Sequence, residues 1–319
     1  MDSITHIALG ASIGEAVFGN KFGFKAALLG ALLSSIPDFD VALYLFYDFY
    51  AMLSIHRGYS HSILICSLLA IFISFLLFHW KLFGETSFAK ISFFAWTCFM
   101  SHLLLDTLTA YGTQLFLPFS NTRVGFDCIN VVDPVYTLPL IIGLILCFWI
   151  YKTKTNRTKF VHWSIAISTI YLLLTFLNKQ HIENIIQDHF DQADIKIQKL
   201  MTMPVGIANY NWYGVAKAKD SIYLQKYSLF EKEENPIEAF PIHEEYLIQL
   251  DKNVAEKMRW FAKGFYTVDT VNGKKRIYNL QVDMRGVVFD GNKKVPTVGY
   301  FEVEENNGKI NFTSGSIKN

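Results

Sequence analysis

The long apolar run Ser62–Phe83 (SILICSLLAIFISFLLFHWKLF) constrains this chain more than any other feature, because a helix of that length crosses a bilayer. It does not stand alone. Phe160–Leu177 has the same character, and Val135–Tyr151 is close to the minimum length for a span. Ile91–Leu108 also spans, although it carries His102 and Asp106 in its second half. Two shorter amphipathic stretches precede these, Ile4–Phe18 and Phe22–Ile36, separated by Gly19-Asn20 and Gly23. The small-residue run AALLGALLSS in the second points to a helical hairpin packed closely through Gly and Ala. The expected fold is an α-helical membrane bundle of about four spans plus a short N-terminal helical hairpin, over residues 1–178.

The 319 residues leave room for a second domain. Hydrophobic content of 51% and a mean hydropathy of +0.24 are high for a soluble protein, and the excess is confined to the chain before Asn178. Beyond it, charged and strand-forming residues take over. His181–Gln198 continues as a polar helical stretch, and from Gly206 the pattern turns to strands. Ile222–Phe230 reads as a strand, and Tyr246, Leu250, Val254 and Met258 recur every four residues as one helix face. Phe265–Val271 and Arg276–Val282 flank Asn272-Gly273, a type I′ hairpin signal; Tyr300–Glu304, Asn307-Gly308 and Lys309–Thr313 repeat it. Residues 179–319 therefore read as a small α+β domain with an antiparallel sheet, with no ligand cluster and no nucleotide loop.

A formal charge of +1 argues against nucleic acid or a strongly anionic surface as partner. Cys66, Cys98 and Cys147 lie in apolar runs and Cys128 in a loop, without C-x-x-C spacing, so they read as small buried hydrophobes. The N-terminus lacks a basic region and a cleavage site, so the internal spans do the membrane targeting.

Basic residues orient the bundle. Lys21 and Lys25, then Lys81 and Lys90, then Lys152, Lys154, Arg157 and Lys159 mark three connections, and with all three cytoplasmic the spans alternate without conflict. The opposite ends carry His6, Pro37–His61 and His102–Asp133. These candidate ligands, and the C-terminal domain after the last span, are then expected to be extracytoplasmic.

Ionisable groups in an apolar setting are costly unless paired or bound. His102 and Asp106, four apart, share one helix face and can reach one ion together; a helix-face hydrogen bond is the plainer alternative. Pro37-Asp38-Phe39-Asp40 ends a helix with two carboxylates, where the macrodipole disfavours acids and a nearby cation would explain them; solvated acids in a turn are the alternative. His56-Arg57-Gly58-Tyr59-Ser60-His61-Ser62 supplies two imidazoles and a guanidinium just before a span, with Gly58 allowing a tight bend and Ser60 or Ser62 capping the next helix. His6 alone reads as an interfacial histidine. Asp127 and Asp133 follow on the same face, Asp133 as a turn residue starting the next span. His79 and His162 belong to the basic side, and His181, Asp188, His189 and His243 to the soluble part.

Together His6, His56, His61, His102, Asp38, Asp40 and Asp106 make an N/O donor set suited to zinc and acceptable to manganese or iron. So many donors allow more than one ion, and such centres activate water at a phosphoester. Arg57 suits a phosphate oxygen, and whichever of Asp38 and Asp40 is not on the metal could act as general base.

T-H at the start, P-D-F-D, H-R-G-Y-S-H-S, S-H-L-L-L-D-T and V-V-D-P occur in the order found in the bacterial membrane-bound metal-dependent hydrolase family, an inner-membrane family of DNA-damage-inducible type. The resemblance covers the chain up to about residue 150. The motif order is also similar, more distantly, to that of zinc-dependent phospholipase C and nuclease families. This similarity implies phosphoester chemistry with one to three divalent ions and points to His6, Asp38, His56, His61, His102 and Asp106 as ligands.

The expectation is thus an integral-membrane metal-dependent hydrolase acting on a phospholipid or lipid-linked phosphoester. A metal-binding module that senses or scaffolds partners through its C-terminal domain is the alternative. A metal transporter would want ligands at mid-membrane and on both faces.

Overall fold

A computed structural model describes residues 1–150, 157–230, 236–281, 299–306 and 309–316. The chain folds as two compact units, Met1–Leu45 with Ile55–Phe176, and Phe46–Ser54 with Leu177–Asn319.

The first unit opens with the expected hairpin, α1 (Ser3–Phe22) and α2 (Phe24–Ser35). The break falls at Gly23 alone, at φ 57° and ψ −138°, and Gly19-Asn20 lies inside α1. A Cβ on Gly30 would stand 2.1 Å from the Gly10 carbonyl oxygen, and one on Gly14 2.1 Å from that of Ala26. Only glycine lets the two backbones come this near.

A 3-10 segment, Pro37–Leu45, and α3 (Phe49–Ile55) follow, then a 3-10 turn, Tyr59–His61, and α4 (Ile63–His79). Next come α5 (Phe88–Thr107), α6 (Pro134–Ile145) running into a π turn at Leu146–Ile150, and α7 (Lys159–Gln192). Local chemistry sets the starts. Ser62 caps α4, and Asp133 caps α6 by accepting from the amides of Val135 and Tyr136, with Pro134 in the first helical position. Phe18 of α1 stacks on Phe83 and meets Phe94 of α5 edge-on, anchoring the core at the end of α1 opposite His6.

Among the described residues α5 and α7 are long and apolar enough to cross a membrane. Up to four spans result if each of two bent pairs counts as one: α2 with Pro37–Leu45 (56°), and Phe49–His61 with α4 (52°). The expected set is revised accordingly. The run from Ser62 to Phe83 yields a helix that stops at His79, because Trp80–Gly84 turns with positive φ at Lys81 and Gly84. Val135–Tyr151 yields a shorter apolar helix that holds Pro139 and loosens into the π turn, and Tyr151 lies outside the described residues.

The second unit holds two four-stranded antiparallel sheets where a single sheet was expected. One runs β1 (Lys199–Val205), β2 (Asn211–Lys217), β3 (Ser221–Ser228), β4 (Glu238–Pro241). The other runs β5 (Tyr266–Val271), β6 (Lys274–Asn279), β7 (Gly299–Asn306), β8 (Lys309–Ser316). Strands begin at Lys199, ahead of Gly206. The periodic stretch from Tyr246 to Met258 is two helices, α8 (Glu244–Ile248) and α9 (Lys252–Phe261), because Asp251 caps a new start through the amides of Asn253 and Val254. Asn272 and Gly273 both have positive φ, 51° and 79°, as a type I′ turn requires. In the later hairpin Asn306 pairs with Lys309; its turn at 307–308, like Val282, lies outside the described residues. Phe46–Ser54 joins this unit: the ring of Phe49 packs on Phe301 and Phe312. One helix, α7, runs unbroken from the apolar span into the core of the first sheet, where Ile182, Ile186 and Phe190 pack with Trp212 and Ala216.

Candidate metal centre

Two of the four central side chains stand at breaks in bent helices. Asp38 follows Pro37 in the first turn of the 3-10 segment, where the axis departs from α2, and His61 closes the 3-10 turn where the chain bends into α4. His102 and Asp106 come from one face of α5, near its end. Their donor atoms all lie within 4.8 Å of one another. His61 Nε2 is 3.2 Å from His102 Nε2, 3.2 Å from Asp106 Oδ2 and 3.5 Å from Asp38 Oδ1. His102 Nε2 is 3.6 Å from each of Asp38 Oδ1 and Asp106 Oδ2. Around one four-coordinate ion with bonds of about 2.0–2.1 Å, tetrahedral N and O ligands stand roughly 3.3 Å apart, so the spacing fits.

Proton positions follow from what the far side of each ring touches. His102 Nδ1 lies 2.6 Å from the Ser34 carbonyl, which can only accept, so Nδ1 carries the proton and Nε2 of the neutral ring is a bare lone pair. Ser60 donates its hydroxyl proton to Asp40 Oδ2 at 2.7 Å, so its oxygen accepts from His61 Nδ1 at 2.9 Å, and His61 Nε2 is bare as well. With both rings neutral, two lone pairs and two carboxylate oxygens converge. Asp106 Oδ2 is buried without a hydrogen-bond partner. A cation at its centre would hold such a set together, and the residues fit a divalent ion.

The surroundings hold this arrangement. Asp106 Oδ1 faces His6 Nε2 at 3.1 Å and accepts from the Met1 amine, and the His6 ring stacks on that of His102. Arg57 places Nε 3.1 Å from Asp106 Oδ2 and donates through Nη1 to Thr109 Oγ1. The positive φ in the 56–62 motif is at Arg57, 56°, one residue before Gly58, which itself turns with φ −92° and ψ −122°. That left-handed residue sends His56 and Arg57 different ways. His56 Nδ1 meets Asp40 Oδ1 at 2.9 Å, and Asp40 Oδ2 accepts from the Arg57 amide. Arg57 and Arg123 both lie over the ring of Tyr111, and Arg123 donates to the Tyr111 carbonyl.

Of the residues singled out in the sequence, the structure gathers Asp38, His61, His102 and Asp106, and sets His6 on the other oxygen of Asp106. His56 and Asp40 pair one step out, behind His61. Arg57 spends its fork on Asp106 and Thr109. Asp127 is buried in the loop after α5, and Asp133 accepts from Tyr171 at 2.7 Å while capping α6. Sequence reasoning passed over Ser60 as a helix cap, and gave no place to the Ser34 carbonyl, Thr109, Tyr111 or Arg123. Only Ser60 carried a signal, being next to His61. Ser60→Ala should weaken metal binding about 10–100-fold while leaving the thermal midpoint little changed, measured by chelator competition.

A membrane-type helical unit with a buried His/Asp cluster at the breaks of its helices is the class of protein that fold and site define. Residues 1–182 match the sequence model of the YdjM inner membrane protein family, more than half of the chain, and the chain belongs to that family. It is an integral membrane protein. It is also similar to "Uncharacterized protein YfhP" of Bacillus subtilis (strain 168), with 29% identity over 205 residues; the match spans 61% of this chain and 61% of the length of that relative. No solved structure matches.

Proposed function

We propose that the protein is an integral-membrane metal-dependent hydrolase of phosphoesters, acting on a phospholipid or lipid-linked phosphate. The observation that carries this reading is the convergence of one donor atom each from Asp38, His61, His102 and Asp106, all within 4.8 Å of one another and largely buried. A divalent ion there, zinc on its N/O set and with manganese or iron also acceptable, would supply Lewis-acid activation of water and of a phosphoryl oxygen. His61 and His102 hold it through Nε2, their tautomers fixed by Ser60 and Ser34. Asp106 carries two duties, one oxygen toward the cluster and one toward His6, which supports His6 as part of a second cation position. Asp40 has both oxygens taken by His56, Arg57 and Ser60, which favours a positioning role over that of free base. Its partner His56 keeps 21% side-chain exposure, which favours His56 over Asp40 as general base. Arg57 neutralises Asp106 and keeps positive charge beside the cluster. The lysine distribution supports an extracytoplasmic site and C-terminal domain.

The test is metal analysis of the purified full-length protein, followed by hydrolysis of a phosphoester panel before and after chelation. Bound metal at one or more equivalents and chelator-sensitive, zinc-restored hydrolysis are expected. Absence of stoichiometric metal would overturn the whole reading. Metal without hydrolysis would leave the non-enzymatic membrane module, which the full burial of His61, His102 and Asp106 favours.

A further inference from the structure

Three of the four central ligands have no exposed side-chain surface, and Asp38 alone keeps some, 19%. The way in is therefore at Asp38, and the side chains around that point are apolar. Phe39, between Asp38 and Asp40, is 64% exposed. Val41 and Tyr44 are exposed on the same 3-10 segment, and Tyr59 is exposed on the turn that carries His61. The loop after α5 adds Phe116 and Phe119, the latter 82% exposed. That loop is fastened beside the cluster: Ser62 donates its hydroxyl to the Leu117 carbonyl at 2.6 Å, the Ile63 amide donates to Leu115 at 3.0 Å, and the Gln114 amide donates to Arg57 at 3.0 Å.

Large aromatic side chains facing water around a buried polar site are costly in a soluble setting and ordinary at a membrane boundary, where rings sit at headgroup depth. The collar is also continuous with an exposed apolar surface of the kind that faces lipid. From Ile63 onward α4 exposes Ile63, Leu64, Leu68, Phe72 and Phe75 on a helix of one of the bent candidate spans, and the Phe116–Phe119 loop is hydrogen-bonded to the start of that helix. Irregular backbone at membrane depth is tolerated where it serves a polar site, and each helix break here carries a residue of the cluster, Asp38 or His61.

We infer that the cluster opens sideways onto the bilayer leaflet at Asp38, through a collar of Phe39, Tyr59, Phe116 and Phe119 that sits among lipid headgroups, so that the substrate is a phosphoester headgroup presented from within the membrane. The substrate half of this inference rests on the hydrolase reading; the depth of the collar does not.

The four native cysteines are buried, so single cysteines introduced by Phe39→Cys, Phe119→Cys and, at an exposed position of α9, Glu256→Cys can each carry a nitroxide in the full-length protein. In phosphatidylcholine proteoliposomes, collision with oxygen should exceed collision with a water-soluble chromium chelate at positions 39 and 119, and the reverse should hold at 256. Equal, water-like profiles at all three positions would overturn the inference, whatever the enzyme does. For substrate, the doubly changed Phe39→Ser, Phe119→Ser protein is compared with the unaltered one on vesicle phospholipid and on a water-soluble phosphodiester. The ratio of vesicle to soluble hydrolysis should fall about tenfold, the scale set by taking a large ring out of an apolar phase. An unchanged ratio would also overturn it. Hydrolysis of neither substrate by the unaltered protein, with lipid-like collision profiles, would sink the hydrolase reading and the substrate half alone, leaving the depth established.

Discussion

Asp106→Ala should lose bound metal and about 3–5 kcal/mol of stability in one step, because it strips the counter-charge from a buried cation as well as a donor from the cluster. Asp106 Oδ2 faces Arg57 Nε, His61 Nε2 and His102 Nε2 at once, and Oδ1 faces His6. Arg57 is 5% exposed, and its guanidinium has no other carboxylate among its described partners. Without Asp106 it must stay charged in a buried place. Metal content by elemental analysis and the thermal midpoint of the detergent-purified protein are the two measurements. His102→Ala gives the contrast: metal should be lost with a smaller drop in midpoint, since the buried Arg57 guanidinium keeps its Asp106 partner. A stoichiometric metal content in either variant would remove that residue from the ligand set.

Gly30→Ala is the second large effect. Its new methyl would lie 2.1 Å from the Gly10 carbonyl oxygen, a contact that backbone alone can relieve, so α1 and α2 must part. Overpacking of this kind costs about 1–3 kcal/mol. The damage should travel further than stability. α2 supplies the Ser34 carbonyl that holds the His102 tautomer and leads directly into Asp38. A shift there should weaken metal binding at least about tenfold, as loss of an outer hydrogen-bonding partner does. Leu32→Ala, at a half-exposed position two residues on, should leave metal affinity unchanged. Wild-type affinity and midpoint in Gly30→Ala would show that the close approach is not needed.

The cluster was legible because its members are chemically out of place: His102 and Asp106 interrupt an apolar helix at one-turn spacing, and Asp38 stands at a helix end where acids are disfavoured. What gathers them was less legible. The left-handed turn at Arg57 is invisible in composition, since the neighbouring glycine is the residue that seems to offer it. His56 looked equivalent to His61, yet only the direction of the chain after that turn decides which imidazole reaches Asp38 and which reaches Asp40. The bends of 56° and 52° were also hidden, because hydropathy measures a run's apolarity and says nothing of its axis. In the second unit, alternation and Asn-Gly turns marked the β5–β6 and β7–β8 hairpins. The split into two sheets depends on strand pairing across longer separations, which local pattern does not encode.

The unbroken course of α7 bears on the order in which the chain can fold. Ile182, Ile186 and Phe190 emerge during synthesis on a helix already begun as an apolar span, but the residues that cover them, Trp212 and Ala216, lie on β2. Gly214 between them lets the strand close onto Ile186; a Cβ there would stand 2.6 Å from its Cγ2. Until β2 is made, this stripe of the helix has no lid, and a nascent chain halted short of it would display a ready target for chaperones and proteases. The second unit thus begins to consolidate when its second strand arrives, with the membrane-born helix acting as the template on which the first sheet assembles.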